Sequence, residues 1–136
     1  MTDINAAISA AASGMRAQTV RMRIAAENVA NANSSGTSPN EDPFRRRIPL
    51  LESTTLTSGA RGVEVEGTVL DMTAFREEYN PSHPAADERG YVRLPNVDTL
   101  VEMMDMREAT RAYEANLNMI EAARTMTTRA LDLLRR

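Results

Sequence analysis

The sequence predicts a mainly α protein: long N- and C-terminal helices that pair as an antiparallel coiled coil, with a small β-rich middle insertion. Three observations carry this. Apolar and small residues recur at heptad spacing at both ends of the chain, the signature of a helix seam. The stretch between them changes to turn residues and short alternating runs. The composition is poor in large rigid anchors, with 4% aromatic residues and no Trp, against nine Met. Met and Ala suit helix-on-helix packing better than a compact mixed core. A length of 136 residues fits one unit. It divides into an N-terminal helix (1–33), a middle segment (34–95) and a C-terminal helix (96–136).

The first helix follows from alternating steps of three and four. Met1, Ile4, Ile8, Ala11, Met15, Gln18, Met22, Ala25 and Val29 form one stripe in which only Gln18 is strongly polar. A helix over residues 3–32 would be about 45 Å long. Gly14 is a soft spot within it, at about 1 kcal/mol against Ala.

The middle segment opens with turn chemistry in "SSGTSPNEDP". "FRRRIPLLE" reads as a strand that Pro49 confines to an edge, and "STTLTSGARG" as a loop. "VEVEGTVLD" alternates Val63 and Val65 with Glu64 and Glu66, a half-exposed strand. "YNPSHPAADERG" is a long loop before the short strand "YVRL". A β-rich piece this small needs the helices or a neighbour for stability.

Pro95 then stops the chain, and Asn96, Asp98 or Thr99 caps the second helix, with Thr99 and Glu102 spaced as a capping box. Its seam runs through Met106, Ala109, Tyr113, Asn116, Ile120, Ala123, Thr127, Ala130 and Leu134, widened by Leu117 and Leu131. Acids cluster early (Asp98, Glu102, Asp105, Glu108) and Arg124, Arg129, Arg135 and Arg136 come late, as the helix dipole favours. Antiparallel pairing brings Arg16 near Glu114 and Arg23 near Arg107 or Glu108.

Composition excludes several function classes. A formal net charge of −3 gives nucleic acid no electrostatic attraction. With no Cys there is no disulfide framework, thiol nucleophile or thiolate metal site. No apolar run reaches the roughly 20 residues of a membrane span, and the N-terminus lacks the pattern of a cleaved signal peptide. Ser82-His83 has neither an orienting acid nor an oxyanion hole to make a triad, so His83 reads as a loop-fixing or exposed residue. Asp87 and Glu88 are adjacent rather than at ligand spacing. Asp71, Glu77 and Glu78 read as solvated acids. The run Arg45, Arg46 and Arg47 reads as a solvated strand or a salt-bridged interface. Met103, Met104 and Met106 read as packing. No enzyme activity, cofactor, metal or small-molecule substrate is expected.

Amides in the stripes remain to be explained. Asn33, with Asn31, suits a helix C-terminus. Gln18, Asn28 and Asn116 instead lie within the seams, where single amides fix register and partner at a cost in stability. With Ile4, Ile8, Met15, Met22, Val29, Asn31, Met106, Tyr113, Leu117, Ile120, Leu131 and Leu134, they make up the expected subunit interface. Thin, alanine-rich seams bury little area each, so further burial between subunits is the natural route to stability.

Two blocks carry a family resemblance. "ASGMRAQTVRMRIAAENVANANS" resembles the N-terminal signature of bacterial flagellar axial proteins, the rod and hook group, through Gly14, Ala17-Gln18, Arg21-Met22 and Asn28-Val29-Ala30-Asn31-Ala32. The second block is similar to the proximal-rod members of that group. It carries His83-Pro84, Gly90-Tyr91-Val92, Pro95-Asn96-Val97 and Arg111-Ala112-Tyr113-Glu114-Ala115-Asn116. The resemblance implies a structural subunit of the flagellar basal body, exported by the flagellar type III apparatus without a cleaved signal peptide. It would polymerise helically in the periplasmic space into the torque-transmitting rod. The implied partners are further copies of the chain, the other proximal-rod proteins, the adaptor and export gate at the rod base, and the distal rod. From the residues alone, a cytosolic coiled-coil adaptor or secretion chaperone is the competing expectation.

Overall fold

A computed structural model describes residues 2–136; the stripe position Met1 lies outside the described residues. Two helices, α1 (Thr2–Ala30) and α2 (Thr99–Leu134), enclose four strands: β1 (Arg47–Thr55), β2 (Arg61–Leu70), β3 (Arg76–Tyr79) and β4 (Tyr91–Leu94). The strands form two separate antiparallel pairs, β1 with β2 and β3 with β4. The mainly α architecture with a small β-rich middle is therefore present.

The helices pack along each other in opposite directions. Asn116 of α2 lies over Gly14 of α1, Thr110 Oγ1 donates to the Met22 sulfur at 3.4 Å, and Arg21 stands 3.9 Å from Glu108. As numbers rise along α1 they fall along α2. Arg23, expected to face α2, is exposed and pairs with Glu27 on its own helix at 3.0 Å; Arg21, two residues earlier, points across instead. Gly14 is a point of close approach and not merely a weak spot. A Cβ there would come 2.6 Å from Asn116 Nδ2, so Gly leaves the room in which the Asn116 amide lies against α1.

The strands depart from expectation in two places. "STTLTSGARG" is not a loop: β1 runs on to Thr55, the turn is confined to residues 56–60, and β2 begins at Arg61. Thr54 and Thr55 are good strand residues when a partner strand is present, and the Leu56 N–H donates to Ala60 O across the turn at 2.9 Å. The short β3, "REEY", carries no apolar alternation and was not expected; pairing with β4 and the Tyr79–Tyr91 edge contact at 5.4 Å hold it.

The β1–β2 hairpin lies along the side of α1 away from α2. Ser9 Oγ meets Ser58 Oγ at the hairpin tip (2.7 Å), and Val63 N–H donates to Ser13 Oγ (3.2 Å). A Cβ on Gly62 would come 2.6 Å from the same Ser13 oxygen, so strand and helix touch through their smallest residues. The core is correspondingly thin: Ala11, Ala17, Ile24, Ala25, Ala109 and Ala123 between helices and hairpin, with Val92, Pro95 and Val97 under the β3–β4 pair.

Candidate assembly surface

A polar junction where α1 ends and α2 begins fixes the geometry of the molecule. Its centre is Arg46, just before β1. Its guanidinium bonds the Glu102 carboxylate, and reaches Asp105 at 3.4 Å and Asp71 at 3.5 Å. The Glu102 side chain is 2% exposed. Burial acts to lower the Arg46 pKa, but the hydrogen bond and charge of Glu102, with Asp71 and Asp105, outweigh it and leave it raised. The expected capping box is thereby overturned. Glu102 is committed to Arg46, and Asp98 alone caps α2, accepting from the Leu100 N–H at 3.0 Å.

Asn96 and Asn28 complete the junction. Asn96 Oδ1 accepts the Arg46 N–H (2.9 Å), and its Nδ2 donates to the Asp71 carbonyl (2.8 Å). Asn28, 1% exposed, donates to the Arg47 carbonyl at 2.9 Å and accepts the Arg47 N–H at 3.0 Å. Its amide thus acts as one more strand partner for β1. Read as a helix-seam residue, Asn28 instead joins helix to hairpin within one chain. Arg76 ties the β3–β4 pair to the same place through the Ala32 and Pro95 carbonyls. Asp71 is held below the ordinary aspartate value of 3.8, first by the Thr73 N–H and then by the Thr73 side chain, with Arg46 adding to it.

The other seam residues separate into two groups, half-buried and exposed. Ile4, Ile8, Met15, Gln18, Met22, Val29, Met106, Tyr113, Asn116 and Ile120 are half-buried. Gln18 accepts from Arg21 on its own helix (2.9 Å), and Asn31 donates back to the Glu27 carbonyl (2.9 Å), finishing α1. Leu117, Leu131 and Leu134 are exposed. They belong to a wider set on α2 that includes Leu100, Val101, Met103, Met104, Met119, Met126 and Leu133, whereas no large apolar residue of α1 is among the exposed ones. Met119, Met126 and Leu133 fall outside the seam read from the sequence, and Met103 and Met104, expected as packing, are exposed. The signal was a second apolar stripe on α2, overlooked beside the first.

Chemistry elsewhere is structural. His83 Nδ1 accepts the Ala85 N–H at 3.0 Å and Nε2 lies 3.3 Å from Ser35 Oγ, so the ring braces its loop. Arg45 bonds the Asp71 and Thr73 carbonyls and stacks 4.1 Å over Phe75. No helix is long and apolar enough to cross a membrane among the described residues.

A scaffold whose buried polar groups all serve its own packing, and whose long helix shows an apolar face outward, suits an assembling structural protein. Residues 88–133 match the family of the flagellar basal body rod FlgEFG protein C-terminal region. Over nearly its whole length the chain is similar to flagellar basal-body rod protein FlgC of several bacteria. It is 43% identical to that of Agrobacterium fabrum, covering 99% of this chain and 98% of the relative. With the Aquifex aeolicus protein it shares 38% identity over 97% and 98%, and with the Bacillus subtilis protein 33% over 93% and 95%. The chain belongs to the FlgC family of flagellar basal-body rod proteins. A cytosolic adaptor or chaperone is not favoured.

Proposed function

We propose that the chain is a structural, non-catalytic subunit of the proximal rod. In this reading it is exported by the flagellar type III apparatus and polymerises helically into the torque-transmitting drive shaft. The observation that carries the reading is the exposed apolar face of α2, on a chain that matches rod proteins from end to end. Long helices laid along an axis resist twist. Contacts between different faces of successive copies stack without closing into a ring.

The finer assignments belong to the same proposal. The α1–α2 pair acts as a coiled coil, with 1–33 and 96–136 as its two arms and 34–95 as the outer segment. The half-buried seam residues, with exposed Leu117, Leu131 and Leu134, meet neighbouring subunits. Those neighbours are further copies, other proximal-rod proteins, the adaptor and export gate at the rod base, and the distal rod.

Mass spectrometry of purified hook-basal bodies tests the proposal. The chain should co-purify with rod and hook proteins in fixed ratio; intact basal bodies without it would overturn the reading. A strain carrying Met119→Ser, Met126→Ser and Leu133→Ser together should secrete the subunit yet lack motility. Normal swimming in that strain would remove α2's outward face from the interface.

A further inference from the structure

The edges of the β1–β2 hairpin are divided between the chain's own helix and open solvent. Strand residues alternate, one turning its N–H and C=O to the partner strand and the next turning them outward. On β1 the even-numbered residues turn inward: Arg46 O accepts the Asp71 N–H at 2.8 Å, and the Leu56 N–H reaches Ala60 O at 2.9 Å. The odd-numbered ones turn outward, as the two bonds between the Arg47 backbone and Asn28 show. On β2 the Val63 N–H turns outward, to Ser13. Glu66 is then an extra residue, because Leu50 pairs with Gly67 and Leu51 with Val65. That bulge reverses the alternation, so Thr68 and Leu70 turn outward beyond it.

α1 uses only part of these edges. It holds β1 near its start, through Asn28, and β2 near its start, through Ser13. The far half of each strand stays open: Leu51, Ser53 and Thr55 on β1, Thr68 and Leu70 on β2. All five are exposed, and among the described residues their backbones bond nothing outside the hairpin. Free edges are ordinarily guarded by Lys or Pro. Neither open half carries one, and Glu52 is the single charge between residues 51–55 and 67–70.

We propose that these two open halves pair with each other between successive copies of the chain in the rod, joining the hairpins into one sheet. The inference rests on the rod reading for its setting and adds the contact between copies. Successive copies in an open stack face the same way. Since β2 runs opposite to β1, β2 of one copy meets β1 of the next antiparallel. Setting Leu51 against Leu70 puts Ser53 against Thr68, Glu52 against Val69 and Thr54 against Gly67. Outward backbone groups then face one another, Leu packs on Leu and hydroxyl on hydroxyl, and no like charges are opposed. Leu51 and Leu70, 45% and 53% exposed, leave water together. Each copy offers one half and accepts the other, so the contact repeats without closing. A two-fold pairing of like halves would close at once and leave the second edge bare.

The chain's lack of cysteine makes the register directly readable. Ser53→Cys and Thr68→Cys are placed together in one chain, and hook-basal bodies purified from that strain are oxidised. Within one hairpin the two positions lie at least about 13 Å apart along the strands, too far for a disulfide, whereas paired strands of neighbouring copies bring them within bonding reach. A ladder of crosslinked dimers, trimers and larger species is expected, and each single variant should give none. Basal bodies that hold the chain without a ladder would overturn the contact and leave the rod reading standing. Dimers from either single variant would show like halves meeting and would overturn it too. Basal bodies that lack the natural chain would remove the rod reading and this contact with it. Thr68→Pro supplies a second measurement. It deletes an outward N–H and spares the bonds within the hairpin, as Pro49 does on the opposite strand. Incorporation of the secreted chain should fall by about tenfold or more, while Thr68→Val assembles normally. Normal assembly of the Pro variant would count against the shared sheet.

Discussion

The two helices, alike in sequence style, do opposite work. α1 is enclosed, with α2 on one side and the hairpin on the other, and apart from Ile24 its buried side chains are small or polar: Ala11, Ser13, Ala17, Ala25, Asn28. α2 is enclosed on one side only, and the rest of its surface carries Val, Leu and Met. A stripe of heptads does not say which of these a helix will be. What separates them is the polar partner each offers the middle segment: α1 supplies backbone-reading groups, and α2 supplies the carboxylates that hold Arg46.

The contrast predicts that damage to the enclosed side acts on folding, and damage to the open side acts on assembly. The largest folding effect belongs to Arg46→Ala. It leaves the Glu102 carboxylate buried without its cation and should cost about 3–5 kcal/mol in a urea titration at pH 7. A loss below 1 kcal/mol would mean that the junction does not join the two regions. Asn28→Leu should cost about 2–4 kcal/mol, because the Arg47 N–H and carbonyl both lose their partner. Hydrogen exchange should show β1 opening first in that variant.

Gly14→Ala comes next. Ala favours helix by about 1 kcal/mol over Gly, yet the close approach to Asn116 should make the change a net loss of about 1–2 kcal/mol. Adding Asn116→Ala should return part of it, and additive losses would show that the two residues do not touch. Smaller still is a pH effect at Asp71. Its folded pKa is lowered by the Thr73 hydrogen bonds. The stability it contributes is therefore full above the ordinary aspartate value and lost as pH falls through the lowered one. Stability against pH below 4 should fall less steeply in Asp71→Asn than in the natural chain. On the open side, Met126→Ser should change unfolding free energy by no more than about 0.5 kcal/mol while reducing incorporation into basal bodies. A large loss of stability there would erase the distinction between the helices.

Much of this architecture is legible in the residues, for physical reasons that differ by region. Heptad spacing reports α1 and α2 because helix periodicity is local. Val63 and Val65 report β2 for the same reason. "STTL" misleads because its strand character depends on partners six to ten residues on, and "REEY" because its pairing rests on β4 rather than on a buried face. Asn28 shows the limit most clearly. Its position in the stripe marks it as unusual, but its partner is the backbone of Arg47, which has no side-chain signal to read. Glu102 fits a local capping rule and obeys a longer-range one, since a buried salt bridge to Arg46 outweighs a solvent-exposed cap.

The hairpin's attachment has a mechanical consequence. It is fastened to α1 at Asn28 by the Arg47 backbone, at Ser13 by the Val63 N–H, and at Ser9 by Ser58. Those points span about 28 Å of helix. A slender rod gains bending rigidity when stiff material is bonded along it away from its own axis, provided the layers cannot slide. The hairpin is such a splint, and three points of fixation prevent sliding. Side load on the helix pair then becomes tension or compression along β1 and β2, shared by a ladder of backbone hydrogen bonds instead of falling on one thin, alanine-lined seam.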